Sequence, residues 1–137
     1  MLNCLIVKLS VSNITIQQYN NSKNMVYTLD ATNKKLGRLA SEIAIILQGK
    51  NNPSYNPRLP GEDEVVIKNG SKVEVSGNKA TQKIYYHHTG YIGHLKEEAF
   101  EKLFARAPDK VIWKAVYNML PKNRLRKERM KHLIIKP

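Results

Sequence analysis

The stretch Met25-Val-Tyr-Thr-Leu-Asp-Ala-Thr-Asn-Lys-Lys-Leu-Gly-Arg-Leu-Ala-Ser-Glu-Ile-Ala-Ile-Ile-Leu47 joins a strand pattern to an amphipathic helix pattern. Residues 25–29 predict a short buried strand, and the next four residues are typical of a turn that caps a helix. Apolar residues then recur at helical spacing as far as Leu47, and Gly49 ends the helix. The stretch therefore predicts the first strand and the first helix of an α/β fold.

The rest of the chain continues with short strands and then helices. Residues 51–61 carry three prolines and predict a loop. Strands are predicted at 64–68, at 72–75 after the turn signal Asn69-Gly70, and at 84–87. Two helices follow, one at 97–107 and one from Pro108 to Pro121, because proline is tolerated in the first turn of a helix. The buried face predicted for the second helix is Ile112, Ala115, Val116 and Met119. This order favours an α/β sandwich over an all-α bundle.

Length, charge and cysteine content restrict the classes of function. A chain of 137 residues suits one domain, and its net charge of +12 favours a polyanionic partner, either nucleic acid or an anionic membrane surface. Cys4 is the only cysteine, so the sequence predicts neither a disulfide framework nor a cysteine metal site. No apolar run approaches the roughly 20 residues of a membrane span.

Residues 1–24 stand apart as an N-terminal extension, and residues 25–137 are predicted to form a single domain. The extension contains two lysines, no acid and a polar run before Met25. Three interpretations stay open: a disordered tail or misassigned start, with Met25 as the true first residue; a structured extension; or a targeting segment.

A second stretch, Lys83-Ile-Tyr-Tyr-His-His-Thr-Gly-Tyr-Ile-Gly-His-Leu-Lys96, concentrates tyrosine, histidine and glycine between two lysines. It begins like a strand, breaks at Thr89-Gly90 and continues through a Gly-x-x-Gly loop into a helical pattern. Such a composition suits stacking on bases and close approach of a phosphate backbone, and it would also suit an active-site loop. The Gly-x-x-Gly tetrad is equally compatible with an ordinary strand-to-helix turn.

Basic residues are also dense near the end of the chain. Six of them lie between Lys122 and Lys131, with Glu128 as the only acid. Like charges this close repel one another unless a partner neutralises them, so the run predicts a basic C-terminal helix that binds nucleic acid. A solvated charged face and a membrane-surface helix are the alternatives, and the apolar face is too thin for the latter.

Residues suited to catalysis or metal binding do not form a recognisable pattern. His87 and His88 are adjacent and would point to opposite faces of a strand, which disfavours a shared metal ion. No Gly-x-Ser-x-Gly elbow or marked carboxylate pair occurs. The sequence therefore predicts no catalytic residues, no metal site and no cofactor. Gly37 stands alone, without a dinucleotide-binding fingerprint. It either lets the start of the helix hold a phosphate, helped by Lys34, Lys35 and Arg38, or only allows close packing.

Five segments together resemble one family, the bacterial-type large-subunit ribosomal proteins of the L-thirteen family, in order and in spacing. They are Asp30-Ala31-Thr32 with Leu36-Gly37-Arg38-Leu39-Ala40; Tyr55-x-Pro57 with Gly61-x-Asp63; Val75-x-Gly77-Asn78-Lys79; Tyr85-Tyr-His-His-Thr-Gly-Tyr-Ile-Gly93 with Lys96; and Met119-Leu-Pro-Lys-Asn-Arg-Leu125. The sequence departs from the family at His94, Asn118 and Arg126, each of which stands where a glycine is usual.

The resemblance implies a three-layer α/β/α sandwich around a mostly parallel sheet. It also implies a non-enzymatic protein that binds large-subunit rRNA early in assembly, beside neighbouring large-subunit ribosomal proteins in the cytoplasmic ribosome. No homo-oligomer and no membrane partner are expected, and an organellar ribosome is the less favoured location. A free RNA-binding regulator acting on mRNA would use the same surface and stays open. A phosphate-handling enzyme centred on the histidine loop is the other alternative.

The residues predicted to bind RNA fall in four regions. They are Lys34, Lys35 and Arg38 at the first helix; Lys50, Tyr55 and Arg58 in the proline loop; Lys79, Lys83, Tyr86, His87, His88, Thr89, Gly90 and Lys96 around the central stretch; and Lys122, Asn123, Arg124, Arg126, Lys127, Arg129 and Lys131 near the end.

Overall fold

The computed structural model describes residues 14–18 and 25–136. The strands are β1 (Ile14–Gln18), β2 (Met25–Asp30), β3 (Glu64–Lys68), β4 (Ile84–His88), β5 (Leu95–Ala99) and β6 (Leu133–Ile135). The α-helices are α1 (Leu36–Leu47), α2 (Lys79–Gln82), α3 (Phe100–Arg106), α4 (Pro108–Met119) and α5 (Leu125–Arg129). Of the predicted extension, residues 1–13 and 19–24 lie outside the described residues, and β1 is the described part.

The central sheet has the strand order β1-β2-β3-β6. β2, β3 and β6 run parallel, with Leu29 opposite Ile67 and Ile67 opposite Ile135, and β1 joins the edge antiparallel to β2. Parallel neighbours need a crossover, and α1 supplies the one from β2 to β3. The predicted α/β sandwich around a mostly parallel sheet is confirmed.

One hydrophobic core joins the sheet to the helices. Along β2 and β3 every second residue is buried, so Tyr27, Leu29, Val65 and Ile67 line one face of the sheet. They pack in a single cluster with the apolar face of α1 and with α3 and α4. The helix predicted from residues 36–47 has the predicted bounds, because its apolar spacing matches the face that this core requires.

Asp30 organises the turn between β2 and α1. Its Oδ1 accepts hydrogen bonds from the Thr32 N–H (3.0 Å), the Thr32 hydroxyl (2.7 Å) and the Asn69 amide (3.1 Å). The Asn69 bond, followed by the two Thr32 bonds, lowers the pKa of Asp30 to about 2. One carboxylate therefore holds the start of the crossover against the end of β3.

We expect Asp30→Ala to lower the free energy of unfolding at pH 7 by about 1–2 kcal/mol, because three donors lose their acceptor. Since the folded pKa lies below the unfolded value of about 3.9, this stabilisation is present above pH 4 and is lost as the pH falls towards 2. The side chain is partly exposed, so solvent screening reduces the effect. Urea unfolding between pH 2 and 7 measures it. Asp30→Asn, which keeps an acceptor oxygen, should retain part of the stability but lose this pH dependence; an unaltered pH profile in Asp30→Asn would contradict the assignment.

The strand predicted at 72–75 is wrong. Asn69 adopts a left-handed conformation (φ 57°), and a 3₁₀ turn, Gly70–Lys72, follows it in place of a hairpin. Gly70 is buried there, and a Cβ would lie 3.2 Å from Ile112 and 3.3 Å from Ile135. Contact with α4 and β6 therefore bends the chain at this point, and one isolated bridge between Glu74 and Lys35 is all that remains of the predicted strand. The turn predicted at 76–79 runs on into the short helix α2.

The helix predicted from residue 97 begins later, at Phe100. Leu95–Ala99 instead forms β5, which pairs antiparallel with β4. Pairing places Glu97 opposite Tyr86 and Glu98 opposite Tyr85, so these acids belong to a two-stranded hairpin. The helical pattern of the following residues was extended too far in the prediction, because hairpin pairing is invisible to helical periodicity.

Two predictions for the end of the chain also differ from the structure. A basic helix over 122–131 is not confirmed, because α5 covers only Leu125–Arg129 and a 3₁₀ turn, Met130–His132, follows it. Met119, predicted to be buried, is 41% exposed at the end of α4, whereas Ile112 and Val116 are buried as predicted. No helix among the described residues is long and apolar enough to cross a membrane.

Candidate nucleic-acid interface

An open cavity of about 480 Å³ lies between the start of α1, the turn before α2, and the end of α4. Four of the predicted cationic residues line it: Lys35, Arg38, Lys79 and Lys83. They come from segments more than 40 residues apart in the chain, and all four side chains are exposed. No acidic residue is among those that line the cavity. The fold therefore concentrates positive charge where the sequence predicted only separate cations.

The β4–β5 hairpin is rooted at this cavity. Lys83 precedes β4, Phe100 follows β5, and both residues line the cavity wall. The Phe100 N–H donates to the Lys83 carbonyl (2.8 Å), which closes the base of the hairpin. Tyr85 packs on Phe100, and the Lys114 ammonium lies 4.5 Å from the Tyr85 ring centroid. The hairpin and the cavity thus form one continuous surface.

The exposed part of the hairpin carries the histidines. His87 lies opposite Lys96, so the two side chains share a face, while Tyr86 is 59% exposed on the other face. His88 Nδ1 accepts a hydrogen bond from the Gly90 N–H (3.1 Å), which places any proton of the neutral ring on Nε2. The side chains of Tyr86, His87, His88 and Lys96 are therefore available to a partner.

The glycines at the hairpin tip have a local structural reason. Gly90 (φ 92°) and Gly93 (φ 76°) both adopt conformations that favour glycine. Thr89 closes the tip, because its N–H and its hydroxyl both donate to the His94 carbonyl. His94 itself has no positive φ. The tip therefore needs glycine at two positions and tolerates a side chain at the third.

The predicted basic run forms a second cationic surface. Lys122, Arg124, Lys127 and Lys131 are exposed. The first three, together with Asn123, Tyr117 and Arg126, line a shallow depression of about 290 Å³. This surface follows directly on the end of α4, whose Asn118 and Met119 line the larger cavity. The cavity, the hairpin and the basic run are thereby contiguous.

Arg126 is committed to the protein itself. Its guanidinium carbon lies 3.5 Å from the Tyr117 ring centroid, and its Nε (2.6 Å) and one terminal amino group donate to the Tyr117 carbonyl. The same amino group lies 3.5 Å from Asn118 Oδ1. Tyr117 is in the last turn of α4, where carbonyls lack partners within the helix. Two residues that depart from the family's glycines, Asn118 and Arg126, are thus neighbours.

Two further predicted cations also bind protein groups. Arg129 is 2% exposed, and its guanidinium donates to the carbonyls of Leu59 (3.0 Å) and Pro60 (2.9 Å). Lys34 pairs with Glu42 at 3.4 Å. Their contacts are structural, so we do not retain Arg129 among the proposed RNA contacts.

The loop residues Lys50, Tyr55 and Arg58 do not line the cavity. They are exposed in the segment between α1 and β3, which Arg129 attaches to α5. Asp63 fixes the other end of this segment, because its carboxylate accepts bonds from Asn52 (3.0 Å) and the Met25 N–H (3.4 Å). Burial, the largest cause, raises the pKa of Asp63.

Three features of the surface were missed by reasoning from the sequence. Asn118 and Ser76 line the cavity, Trp113 stacks on Tyr117 (4.8 Å between centroids) while 41% exposed, and Ile92 is fully exposed at the hairpin tip. Asn118 was noted only as a departure from glycine. Its role depends on the end of α4 meeting α1, which no local pattern indicates.

Few of the cations are neutralised by the protein. Within residues 25–136, Lys34–Glu42 and Arg106–Glu98 (2.6 Å) are the only ion pairs. In the same part of the chain no group of three or more His, Cys, Asp or Glu side chains could hold a metal ion. The fold and this surface define a small, strongly basic α/β protein whose cations face outward.

Comparison with known families identifies the chain more closely. The model of the family described as ribosomal protein L13 matches residues 24–135, so the chain belongs to the ribosomal protein L13 family. This is a family of structural, non-enzymatic proteins, and the enzymatic alternative is set aside. The resemblance predicted from the five sequence segments is confirmed.

Curated relatives agree with the family. The chain is 52% identical over 107 residues to the large ribosomal subunit protein uL13 of Alkalilimnicola ehrlichii, covering 78% of this chain and 75% of the relative. It is 52% identical over 114 residues to the protein of the same name from Francisella tularensis subsp. novicida, covering 83% and 80%. The Thioalkalivibrio sulfidiphilus protein of that name is 53% identical over 107 residues, covering 78% and 75%.

Proposed function

We propose that this protein is a structural constituent of the large ribosomal subunit, where it binds large-subunit rRNA and supports early steps of subunit assembly. It acts in the cytoplasm and contacts neighbouring large-subunit proteins. The family membership and the names of the curated relatives support the ribosomal role.

The observation that carries rRNA binding is the contiguous cationic surface. The cavity, the hairpin and the basic run present exposed Lys and Arg side chains that have no acidic partner within residues 25–136. Uncompensated cations on one surface repel one another and are stabilised when phosphates neutralise them. Exposed Tyr86 and the histidines of the hairpin add groups that stack on unpaired bases.

Sedimentation of a tagged protein in cell extracts tests the proposal. We expect it to migrate with large subunits, and with their earliest precursor particles after pulse labelling, and to remain bound after a wash at moderate salt. Recovery only in the soluble fraction would refute the ribosomal role. Recovery on mature subunits but never on precursors would refute the role in early assembly alone.

A further inference from the structure

The cavity beside α1 is larger and chemically more varied than a contact with a phosphate needs. Its volume of about 480 Å³ lies within the range of small-molecule sites, about 300–1,000 Å³. Cations stand at Lys35, Arg38, Lys79 and Lys83, whereas Leu36, Val75, Phe100 and Met119 contribute apolar surface. The Asn118 amide and the Ser76 hydroxyl add hydrogen-bonding groups. A ligand with an anionic part, an apolar face and polar edges matches this lining.

Gly37, also on the cavity wall, has no structural reason to be glycine. An added Cβ would meet no atom within 4 Å, and the backbone φ is not positive. The two interpretations left open by the sequence are thereby separated, because packing within the protein does not require the small residue. Glycine gains nothing over alanine in a helix on intrinsic propensity. The space beside Gly37 is therefore available to a molecule outside the chain.

We propose that this cavity binds a single nucleotide of the rRNA whose base is unstacked from its neighbours. The inference rests on the proposed rRNA-binding function and gives it a specific ligand. The nucleotide's phosphates face the four cations, its base packs on the apolar wall, and Asn118 and Ser76 bond the base edge or sugar. RNA is recognised specifically in this way, through bases splayed out from single strands, bulges and loops.

Two substitutions at Gly37 test the proposal without changing charge. Gly37→Ala and Gly37→Leu both point into open space, so neither should lower the Tm of the free protein. Binding to a large-subunit rRNA transcript should fall about tenfold for Gly37→Leu and less for Gly37→Ala. The salt dependence of affinity should keep the wild-type slope, because no phosphate contact is removed. The matched control is Ala105→Leu, the same kind of enlargement at an exposed position on α3, which should bind like wild type.

Chemical probing of base edges in the rRNA provides the second readout. One nucleotide, or one short unpaired segment, should be protected by wild type and exposed in the Gly37→Leu complex, with the remaining footprint unchanged. Wild-type affinity and an identical reactivity profile for Gly37→Leu would overturn the cavity as a nucleotide site. A wild-type protein that fails to bind rRNA at all would instead overturn the proposed function. Equal weakening by Ala105→Leu would show that bulk anywhere on the helices is sufficient, and would also overturn the inference.

Discussion

Replacing Lys122, Arg124 and Lys127 together by alanine is expected to flatten the salt dependence of rRNA binding. Each phosphate contact contributes about −0.7 to −0.9 to the slope of log affinity against log salt, so the slope should become less steep by about 2 to 3. At about 0.1 M salt the affinity should fall on the order of a hundredfold. The reason is structural: the three side chains are exposed, line one depression and have no acidic partner within residues 25–136.

Fluorescence titration of an rRNA transcript between about 0.05 and 0.2 M salt measures this slope. The matched control removes three exposed lysines elsewhere, at Lys68, Lys72 and Lys102, and should leave the slope as in wild type. An unchanged slope in the first triple variant would remove the basic run from the interface. Equal flattening in both variants would mean that net charge matters and the location of the cations does not.

Arg129→Ala is expected to destabilise the fold by about 2–4 kcal/mol, the range for truncating a large buried side chain whose polar partners lose their hydrogen bonds. Arg129 is 2% exposed and connects α5 to the loop before β3 through the carbonyls of Leu59 and Pro60. Its guanidinium donates through two different nitrogens, a geometry that lysine does not reproduce. Arg129→Lys should therefore recover only part of the stability.

Urea unfolding of purified variants checks this expectation. Arg124→Ala is the control, because Arg124 is exposed and surface changes of this kind usually alter stability by less than about 0.5 kcal/mol. The folded Arg129→Lys variant should also keep the wild-type salt slope for rRNA. Wild-type stability in Arg129→Ala, combined with a flatter slope in Arg129→Lys, would return Arg129 to the RNA interface and contradict the structural role.

The parts of the fold that follow local patterns were predicted well. Strand β2, helix α1 and the start of α4 at Pro108 agree with the sequence, because a strand-to-turn signal, an apolar stripe and a proline act on neighbouring residues. Strand β5 was missed because its partner β4 lies across a turn, and its acids also suit a helix. The bend at Gly70 was missed because Ile112 and Ile135, which surround it, are distant in the chain.

The same distinction holds for the candidate site. The sequence alone determined that the protein is basic, that it has an α/β core, and that particular lysines, arginines and tyrosines are available for RNA. Only the tertiary structure decided which cations are free. It buries Arg129, folds Arg126 onto Tyr117, and gathers Lys35, Arg38, Lys79 and Lys83 around one cavity. Residue type and local periodicity depend on neighbours along the chain, whereas burial, pairing and cavity shape depend on residues that only folding brings into contact.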